Sequence, residues 1–388
     1  MRLFINSLAA SAGGGLTYIR NVLPLLAQEP DLLLTVAIRP SLRREFQGLP
    51  TIEFVESTGS TAKRFWQEQA RLPNLIRKSG SHVLLSTGNF ALRRSPVPQI
   101  LLSRNSIYCS RDYYSDLIAR GEYRLWLETR LRGLLAKRSI QWADVTVAPS
   151  QAFADELHRW TGKSVRTIHH GFNQESFFRD ADPLHSDIAE KLAREKEAMR
   201  LLFVSHYNYY RNFETLIRAL PMIGQSVKNK PLRLFLTCEF TSGANPGSYD
   251  PQSIANLIKE TGVEEQVIQL GTVPYSQLHH LYRQCHIYVT PAYAETFAHP
   301  LVEAMASGLP LVASDLAVHR EICGNAAVYF DRFSPELLAK CVAEVVESKA
   351  LAERMSRAGQ ERSRQFSWQA HVDELLDLAR TLAATGRS

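Results

Sequence analysis

The chain of 388 residues is long enough for two or three domains, each with its own buried core. Its formal net charge of +6 is a mild basic excess, compatible with anionic ligands or a membrane surface. The five cysteines are scattered and form no C-x-x-C pair, which argues against a disulfide framework or a zinc site and favours a reducing compartment. No apolar run reaches the roughly 18 residues that a membrane-spanning helix needs.

The first half of the chain alternates short apolar runs with longer helical patterns. Strands are predicted at Arg2–Asn6, Leu32–Arg39, Thr51–Val55, His82–Thr87, Gln99–Ser103, Val145–Pro149 and Val165–His169. Helices are predicted at Gly15–Gln28, Leu117–Trp142 and Gln151–Trp160. Continuous apolar strands that alternate with helices indicate a parallel sheet covered on both faces.

The alternation stops over the polar segment Gln174–Arg200 and then resumes. Strands are predicted at Leu201–Ser205, Leu232–Thr237, Val267–Leu270, Ile287–Pro291, Pro310–Ala313 and Ala327–Phe330. Helices are predicted at Asn212–Leu220, Pro251–Thr261, Gln277–Cys285, Pro300–Ser307, Ser334–Ser348, Leu351–Gln365 and Trp368–Ala384. The pattern predicts an α/β protein with two doubly wound, Rossmann-like domains that face a cleft: residues 1–175 and 200–367, joined by a linker over 176–199.

The stretch SLAASAGGGLTYIR follows the first predicted strand. A secretory cleavage site is disfavoured, because only Arg2 supplies positive charge and Asn6 and Ser7 interrupt the apolar run. The glycines match neither G-x-G-x-x-G nor a P-loop, so nicotinamide and ATP sites are poorly supported. Ligands of such folds bind beyond the carboxyl ends of the strands, so we interpret Gly13–Gly15 as a loop at the cleft whose backbone can approach a diphosphate.

The segment PAYAETFAHPLVEAMASGLPLVASD, from Pro291 to Asp315, is the most informative part of the chain. Pro300 suits the first turn of a helix, so the N–H groups near it form a candidate anion site. Glu295 in the preceding loop and Glu303 one turn into the helix flank that site. Carboxylates do not bind phosphate, but they accept hydrogen bonds from the sugar hydroxyls on both sides of the phosphates in a nucleotide sugar.

This segment resembles the E-x7-E signature, E-x-F-G-x-P-x-x-E-A-M-A-x-G-x-P-V-V-A-S, of retaining group 1 glycosyltransferases (family 4) with the GT-B fold. Further likenesses to that family are VTVAPSQAFADEL (Val145–Leu157), TIHHGFN (Thr167–Asn173), LLFVSHYNYYRNFETLIRAL (Leu201–Leu220) and LGTVPYSQLHHLYRQCHIYVTPAYAE (Leu270–Glu295). The resemblance covers about the last two-thirds of the chain well and the first third loosely.

The resemblance implies donor-side roles for the residues that match. Glu303 would bind the ribose hydroxyls of a nucleotide sugar, and Glu295 would contact hydroxyls of the donor sugar. The last helix, 368–388, would cross back onto the N-terminal domain, and no metal cofactor would be required. The residues whose backbone would meet the diphosphate, the sugar or the base are Phe297, Ala298, His299, Thr272, Val273, Gly14 and Gly15.

The chain departs from the family at two places. The family meets the leaving nucleotide with an Arg and, five residues later, a Lys; His206 and Arg211 stand at these positions. Arg211 keeps the charge and gains bidentate geometry, whereas His206 can be neutral near pH 7, so we expect Arg211 to dominate. The family's His after the fifth strand is replaced by SRNSIYCS, which leaves Arg104, Asn105 and His170 as acceptor-side candidates.

Residues 91–138 are rich in arginine with interleaved aromatic side chains. A solvated helix face over a core stripe is the simpler interpretation, and a surface for a membrane or an acidic acceptor is the alternative. Nucleic acid is not an expected partner, because no nucleic-acid motif accompanies the charge. The D-A-D at Asp180–Asp182 lies in the polar linker with no strand before it, so no metal site is expected there.

These features predict a glycosyltransferase that moves a sugar, with retention of configuration, from a nucleoside diphosphate to a glycan or lipid-linked saccharide. A bacterial envelope polysaccharide or lipopolysaccharide is the expected product, made in the cytoplasm or at the inner face of the plasma membrane. One alternative is a nucleotide-sugar epimerase, which would use the same donor without an acceptor. Another is a non-catalytic binding protein, which the His206 departure leaves open.

Overall fold

The structure is a computed structural model, which describes residues 1–10, 13–49, 52–55, 61–179, 182–227, 230–243 and 247–386. Ser11 and Ala12 of the glycine stretch, and Asp180 and Ala181 of the D-A-D motif, lie outside the described residues. The chain divides into two compact units. The first comprises Met1–Cys109, Trp126–Gly171 and Ser367–Ser388, and the second comprises Ser110–Leu125 and Phe172–Phe366.

The first unit is built on a parallel sheet with the strand order β3-β2-β1-β4-β5-β6-β7. Its strands are β1 (Arg2–Asn6), β2 (Leu33–Ile38), β3 (Ile52–Phe54), β4 (Val83–Ser86), β5 (Gln99–Leu102), β6 (Val145–Ala148) and β7 (Arg166–Thr167). Leu3 and Ile5 enter one apolar cluster while Phe4 enters another, because alternate side chains of a strand point to opposite faces. Both faces of the sheet are therefore covered, which explains the continuous apolar runs.

The second unit has its own parallel sheet with the order β10-β9-β8-β11-β12-β13. Its strands are β8 (Met199–Phe203), β9 (Leu232–Leu236), β10 (Val267–Gln269), β11 (Ile287–Thr290), β12 (Leu311–Ser314) and β13 (Ala327–Phe330). The chain moves outward from β8 to β9 and β10, and then returns to place β11 on the other side of β8. The boundary between β8 and β11 is the switch point at which α/β sheets bind ligands.

Helices connect the strands and cover the sheets. In chain order they are α1 (Gly13–Leu26), α2 (Thr61–Ser79), α3 (Arg111–Ala119), α4 (Tyr123–Trp142), α5 (Gln151–Thr161), α6 (Gln174–Phe177), α7 (Ser186–Arg194), α8 (Phe213–Ser226), α9 (Pro251–Glu260), α10 (Leu278–Gln284), α11 (His299–Ala306), α12 (Ala317–Cys323), α13 (Pro335–Glu347), α14 (Lys349–Ser363) and α15 (Trp368–Thr385).

The single long helix predicted over Leu117–Trp142 is wrong, because two helices stand there. Gly121 has a φ of +74° and its N–H donates to the carbonyl of Ile118 at 3.0 Å, which ends α3 with a glycine in the left-handed region. The break separates α3, which belongs to the second unit, from most of α4, which belongs to the first.

Helix α2 was not predicted, although its buried residues follow a helical period. Phe65, Leu72 and Ile76 are 6% exposed or less, at positions i, i+7 and i+11. Pro73 interrupts the pattern inside the helix and hides the periodicity from a reading of the sequence.

Helix α15 packs within the first unit against α1. Tyr18 Oη lies 3.0 Å from His371 Nε2, and Trp368 contributes to the same apolar cluster. Gly171 lies so close to the start of α15 that a Cβ atom there would stand 2.0 Å from the backbone nitrogen of Trp368. The contact therefore requires glycine at position 171.

Candidate active site

Arg211 and Glu295 meet beyond the carboxyl ends of β8 and β11. Arg211 lies between β8 and α8, and Glu295 lies in the loop that follows β11. Arg211 Nη1 donates to Glu295 Oε2 at 2.8 Å, and the two side chains are only 15% and 14% exposed. The ion pair therefore occupies the switch point of the second sheet, where a ligand is expected.

The charges of this pair are fixed by their surroundings. Burial raises the pKa of Glu295, but the Arg211 cation and the N–H of Thr296, which donates to Oε1 at 3.0 Å, outweigh burial and hold that pKa below its usual range. Burial lowers the pKa of Arg211, whereas Tyr210 and Glu295 raise it, with a net shift upward. Arg211 Nε has no hydrogen-bond partner among the described residues, so the guanidinium keeps a donor for an anion.

Glu303 lies in the second turn of α11 and is only 5% exposed. Tyr282 Oη donates to Glu303 Oε2 at 2.9 Å. Burial raises the pKa of Glu303 to about 7, and the Tyr282 hydrogen bond opposes that rise only in part. A buried carboxyl group with this pKa gains from hydroxyl donors, since each of them stabilises its charged form.

The start of α11 holds the backbone in an unusual conformation. Ala298, the residue before the helix, has a φ of +64°, in the left-handed region that non-glycine residues rarely adopt. Phe297 is buried and packs edge-on against Phe366, with ring centroids 5.3 Å apart. Together these contacts fix the direction of the N–H groups at the start of the helix, where an anion would bind.

The remaining predicted donor-side residues of the second unit, His206, Thr272 and Val273, follow the strands β8 and β10. His206 follows β8 and is exposed as a residue, while partial burial of its ring and then the Arg211 cation lower its pKa. His206 is therefore neutral at pH 7, and of the two residues His206 and Arg211 only Arg211 carries a positive charge. Thr272 is exposed and Val273 is buried, and both follow β10.

His319 is a buried residue of this region that the sequence did not indicate. It is 1% exposed, lies on α12, and its Nδ1 is 2.9 Å from the backbone oxygen of Ser314. Burial lowers its pKa, so the ring is neutral, and its Nε2 has no partner within the described part of the chain. The hydroxyl of Ser314 donates to the carbonyl of Ala292, which ties the Glu295 loop to the end of β12.

The loop predicted at Gly13–Gly15 is wrong, because these glycines form the first turn of α1, and Arg104 of the first unit holds that turn. Its Nη1 donates to the carbonyl of Gly14 at 2.8 Å, and its Nη2 donates to that of Thr87 at 2.6 Å. A Cβ atom at Gly15 would lie 3.5 Å from Ala10 Cα, in ordinary contact. Burial lowers the pKa of Arg104 to about 10, so the guanidinium remains charged at pH 7. Arg104 therefore uses two of its donors to join the start of α1 to the backbone that follows β4.

The other two acceptor-side candidates have different surroundings. Asn105 Oδ1 accepts from the N–H of Ile107 at 3.3 Å and caps a short turn. His170 is 4% exposed, with its ring centroid 5.4 Å from those of Tyr18 and Trp368. Their roles toward an acceptor stay predictions.

The described residues contain neither a cluster of metal ligands nor a membrane-spanning helix. No group of three or more His, Cys, Asp or Glu side chains there could hold a metal ion, and a reaction without metal stays a prediction. No helix among them is both long and apolar enough to cross a membrane.

The amino-acid sequence is similar to those of several bacterial glycosyltransferases. The chain is 27% identical to D-inositol 3-phosphate glycosyltransferase 1 of Catenulispora acidiphila, over 63% of this chain and 59% of that protein. It is 25% identical to the D-inositol 3-phosphate glycosyltransferase of Corynebacterium glutamicum, over 65% of this chain and 60% of that protein. The matches thus span about three fifths of the length of these relatives.

Solved structures resemble the whole chain. Sucrose-phosphate synthase of Thermosynechococcus elongatus has a TM-score of 0.77 at 18% identity and covers 99% of this chain and 100% of its own. Anabaena HepE in complex with UDP-glucose has a TM-score of 0.72 at 14% identity and covers 98% of this chain and 100% of its own. At these identities the likeness shows the fold alone, and the predicted GT-B fold is confirmed.

The family model described as Glycosyl transferases group 1 matches residues 185–362, which include Arg211, Glu295 and Glu303. The segment holds the second sheet from β8 to β13 and the ion pair at its switch point. Over this segment the chain is similar to the Glycosyl transferases group 1 family.

Proposed function

We propose that this protein is a glycosyltransferase that takes a sugar from a nucleoside-diphosphate donor and transfers it to a glycan or lipid-linked saccharide with retention of configuration. The observation that carries the proposal is the buried Arg211–Glu295 pair at the β8–β11 switch point, with Glu303 in the helix that follows. One cation and two carboxyl groups at one sheet edge match a ligand whose phosphates lie between hydroxyl-bearing groups.

Each side chain has a distinct task in this proposal. Glu303 accepts hydrogen bonds from the ribose hydroxyls, and Glu295 accepts them from hydroxyls of the transferred sugar. Arg211 donates to an oxygen of the diphosphate, whose negative charge grows as the bond to the sugar breaks. The N–H groups at the start of α11 add partial positive charge on the same oxygens.

Retention requires that the acceptor attack from the face that the nucleoside diphosphate leaves. The acceptor hydroxyl forms the new bond to the anomeric carbon while the bond from that carbon to the phosphate oxygen breaks. The proton of the hydroxyl passes to the departing phosphate oxygen, so no protein base is needed. Arg211 stabilises the departing anion in a transfer that needs no metal ion.

A thermal-shift panel with UDP-glucose, GDP-mannose and ADP-glucose tests donor binding, followed by an assay of nucleoside-diphosphate release. UDP-glucose comes first because Anabaena HepE was solved with it. We expect at least one donor to raise the melting temperature and to release its nucleoside diphosphate slowly in water. The absence of any shift with all three donors would count against the proposal.

The products separate the alternatives. A transferase gives a product in which the sugar is retained in its configuration on an added acceptor. An epimerase gives an altered sugar or a rearranged donor without acceptor. Binding with no turnover at all would identify a non-catalytic nucleotide-sugar protein.

We further propose that α4 contacts an anionic membrane surface. Leu127, Leu131 and Leu134 are 53%, 58% and 61% exposed, at positions i, i+4 and i+7 of one helix face. Arg130 and Arg138 are exposed on the same face, and α4 carries five basic residues against one acidic residue. Exposed leucines beside arginines fit a membrane whose apolar interior lies under anionic headgroups.

Co-sedimentation with vesicles of phosphatidylcholine and phosphatidylglycerol tests this surface. Replacing Leu127 and Leu131 by serine is expected to weaken binding by about 10²-fold, since each leucine loses roughly 1.5 kcal/mol of burial. Leu337→Ser on α13, a leucine that is 44% exposed, is the matched control and should bind as the parent protein does. Unchanged vesicle binding together with an altered oligomeric state would show that the face pairs with another copy of the chain instead.

A further inference from the structure

Helix α3 comes from the first half of the sequence but belongs to the second unit. Arg332 Nε donates to Asp112 Oδ2 at 2.7 Å, which fastens the start of α3 near the end of β13. The far end of α3 carries Asp116, and Arg120 follows the last residue of the helix; the two lie one helical turn apart and form an ion pair at 2.8 Å.

Asp116 and Arg120 each contact a tyrosine of a different loop. Tyr293 Oη donates to Asp116 Oδ2 at 2.8 Å. The Arg120 guanidinium lies 5.3 Å from the ring centroid of Tyr209 and 4.9 Å from that of Tyr249, and the two rings are stacked 4.6 Å apart. Arg120 Nη1 also donates to Glu214 Oε1 of α8 at 2.8 Å, so Arg120 is held by two carboxylates and by two aromatic faces.

The two loops that α3 contacts are the loops of the ion pair. Tyr209 precedes Arg211 by two residues, and Tyr293 precedes Glu295 by two residues. The loops are also joined directly, since the N–H of Tyr293 donates to the carbonyl of Tyr210 at 3.0 Å. One turn of α3 therefore contacts both loops just before the residues that meet at the switch point.

We propose that Asp116 and Arg120 are positioning residues that set the spacing between Arg211 and Glu295 for the bound donor. The proposal rests on the proposed function of that pair. A cation and a carboxylate from separate loops are useful only if their separation matches the distance between the phosphates and the sugar hydroxyls. The Asp116–Arg120 pair supplies a rigid link between the loops through Tyr293 and Tyr209.

A double-mutant cycle between Asp116→Asn and Tyr293→Phe tests the link. Tyr293→Phe removes the hydrogen bond, and Asp116→Asn takes the charge from its acceptor, so each is expected to lower kcat for donor hydrolysis about tenfold, with KM changed less than about threefold. The double variant is expected to be no slower than the slower single variant. Arg120→Lys, which keeps the charge but loses the planar stacking group, is expected to lower kcat in the same way.

Asp112→Asn is the matched control, because it weakens an ion pair of α3 whose two side chains make no hydrogen bond to Tyr209 or Tyr293. It is expected to keep kcat within twofold even if it lowers the melting temperature. Multiplicative losses in the double variant, or a well-folded Asp116→Asn with kcat within twofold of the parent, would overturn the positioning role alone. A parent protein that neither binds nor hydrolyses any nucleotide sugar would overturn the proposed function, and this inference with it.

Discussion

Replacing Arg211 by alanine is expected to lower turnover of the nucleotide sugar by about 10²–10³-fold. This is the usual loss when one preorganised donor to a developing anion is removed. His206 cannot compensate, because burial of its ring and then the Arg211 cation lower its pKa. The measurement is the release of nucleoside diphosphate from the donor that gives the largest shift in the thermal panel.

Loss of Arg211 also leaves Glu295 without its ion-pair partner in a site where both side chains are mostly buried. Leaving one charge of such a pair unpaired destabilises a protein by roughly 3–5 kcal/mol, so the melting temperature must be measured beside the rate. Arg211→Lys keeps the positive charge beside Glu295, so it separates the loss of turnover from the loss of stability. Arg320→Ala removes a comparable but exposed pair with Asp315 and should leave the rate unchanged. A folded Arg211→Ala enzyme at near-normal rate would contradict the assignment.

Replacing Glu303 by glutamine is expected to weaken donor binding by about 10- to 100-fold. The glutamine keeps the shape of the side chain but loses charge-assisted hydrogen bonds from the ribose hydroxyls, worth about 1.5–3 kcal/mol together. Isothermal titration with the donor or with its nucleoside diphosphate measures the change. Glu260→Gln, at an exposed glutamate at the end of α9, is the matched control.

The pH dependence of binding tests the same carboxyl group. Its pKa of about 7 in the free protein means that it is largely protonated at pH 6. Donor binding favours the ionised form, so affinity is expected to rise about tenfold per pH unit below pH 7 and to level off above it. The raised pKa also stabilises the free fold at low pH, and that contribution is lost as pH rises through about 7. If the donor affinity of the Glu303→Gln variant still rises with pH below pH 7, a group other than Glu303 is responsible for the titration.

The sequence alone predicted the two parallel sheets and the segment of the family match. The strands β4, β5, β11 and β12 are buried along their whole length because both faces of each sheet are covered there, and their mostly apolar runs are visible in a sequence. The spacing of Glu295, Pro300 and Glu303 predicted a loop followed by a helix, because proline suits a first helical turn. These are local properties of the chain.

The tertiary structure decided what depends on residues far apart in the sequence. Arg211 and Glu295 are 84 positions apart, and Asp116 and Tyr293 are 177 apart, so neither pair leaves a periodic signal. Arg104 is used to hold the carbonyls of Gly14 and Thr87, which the sequence does not reveal. Charge, pKa and partner are set by the neighbours that packing brings together, and a linear pattern records only neighbours along the chain.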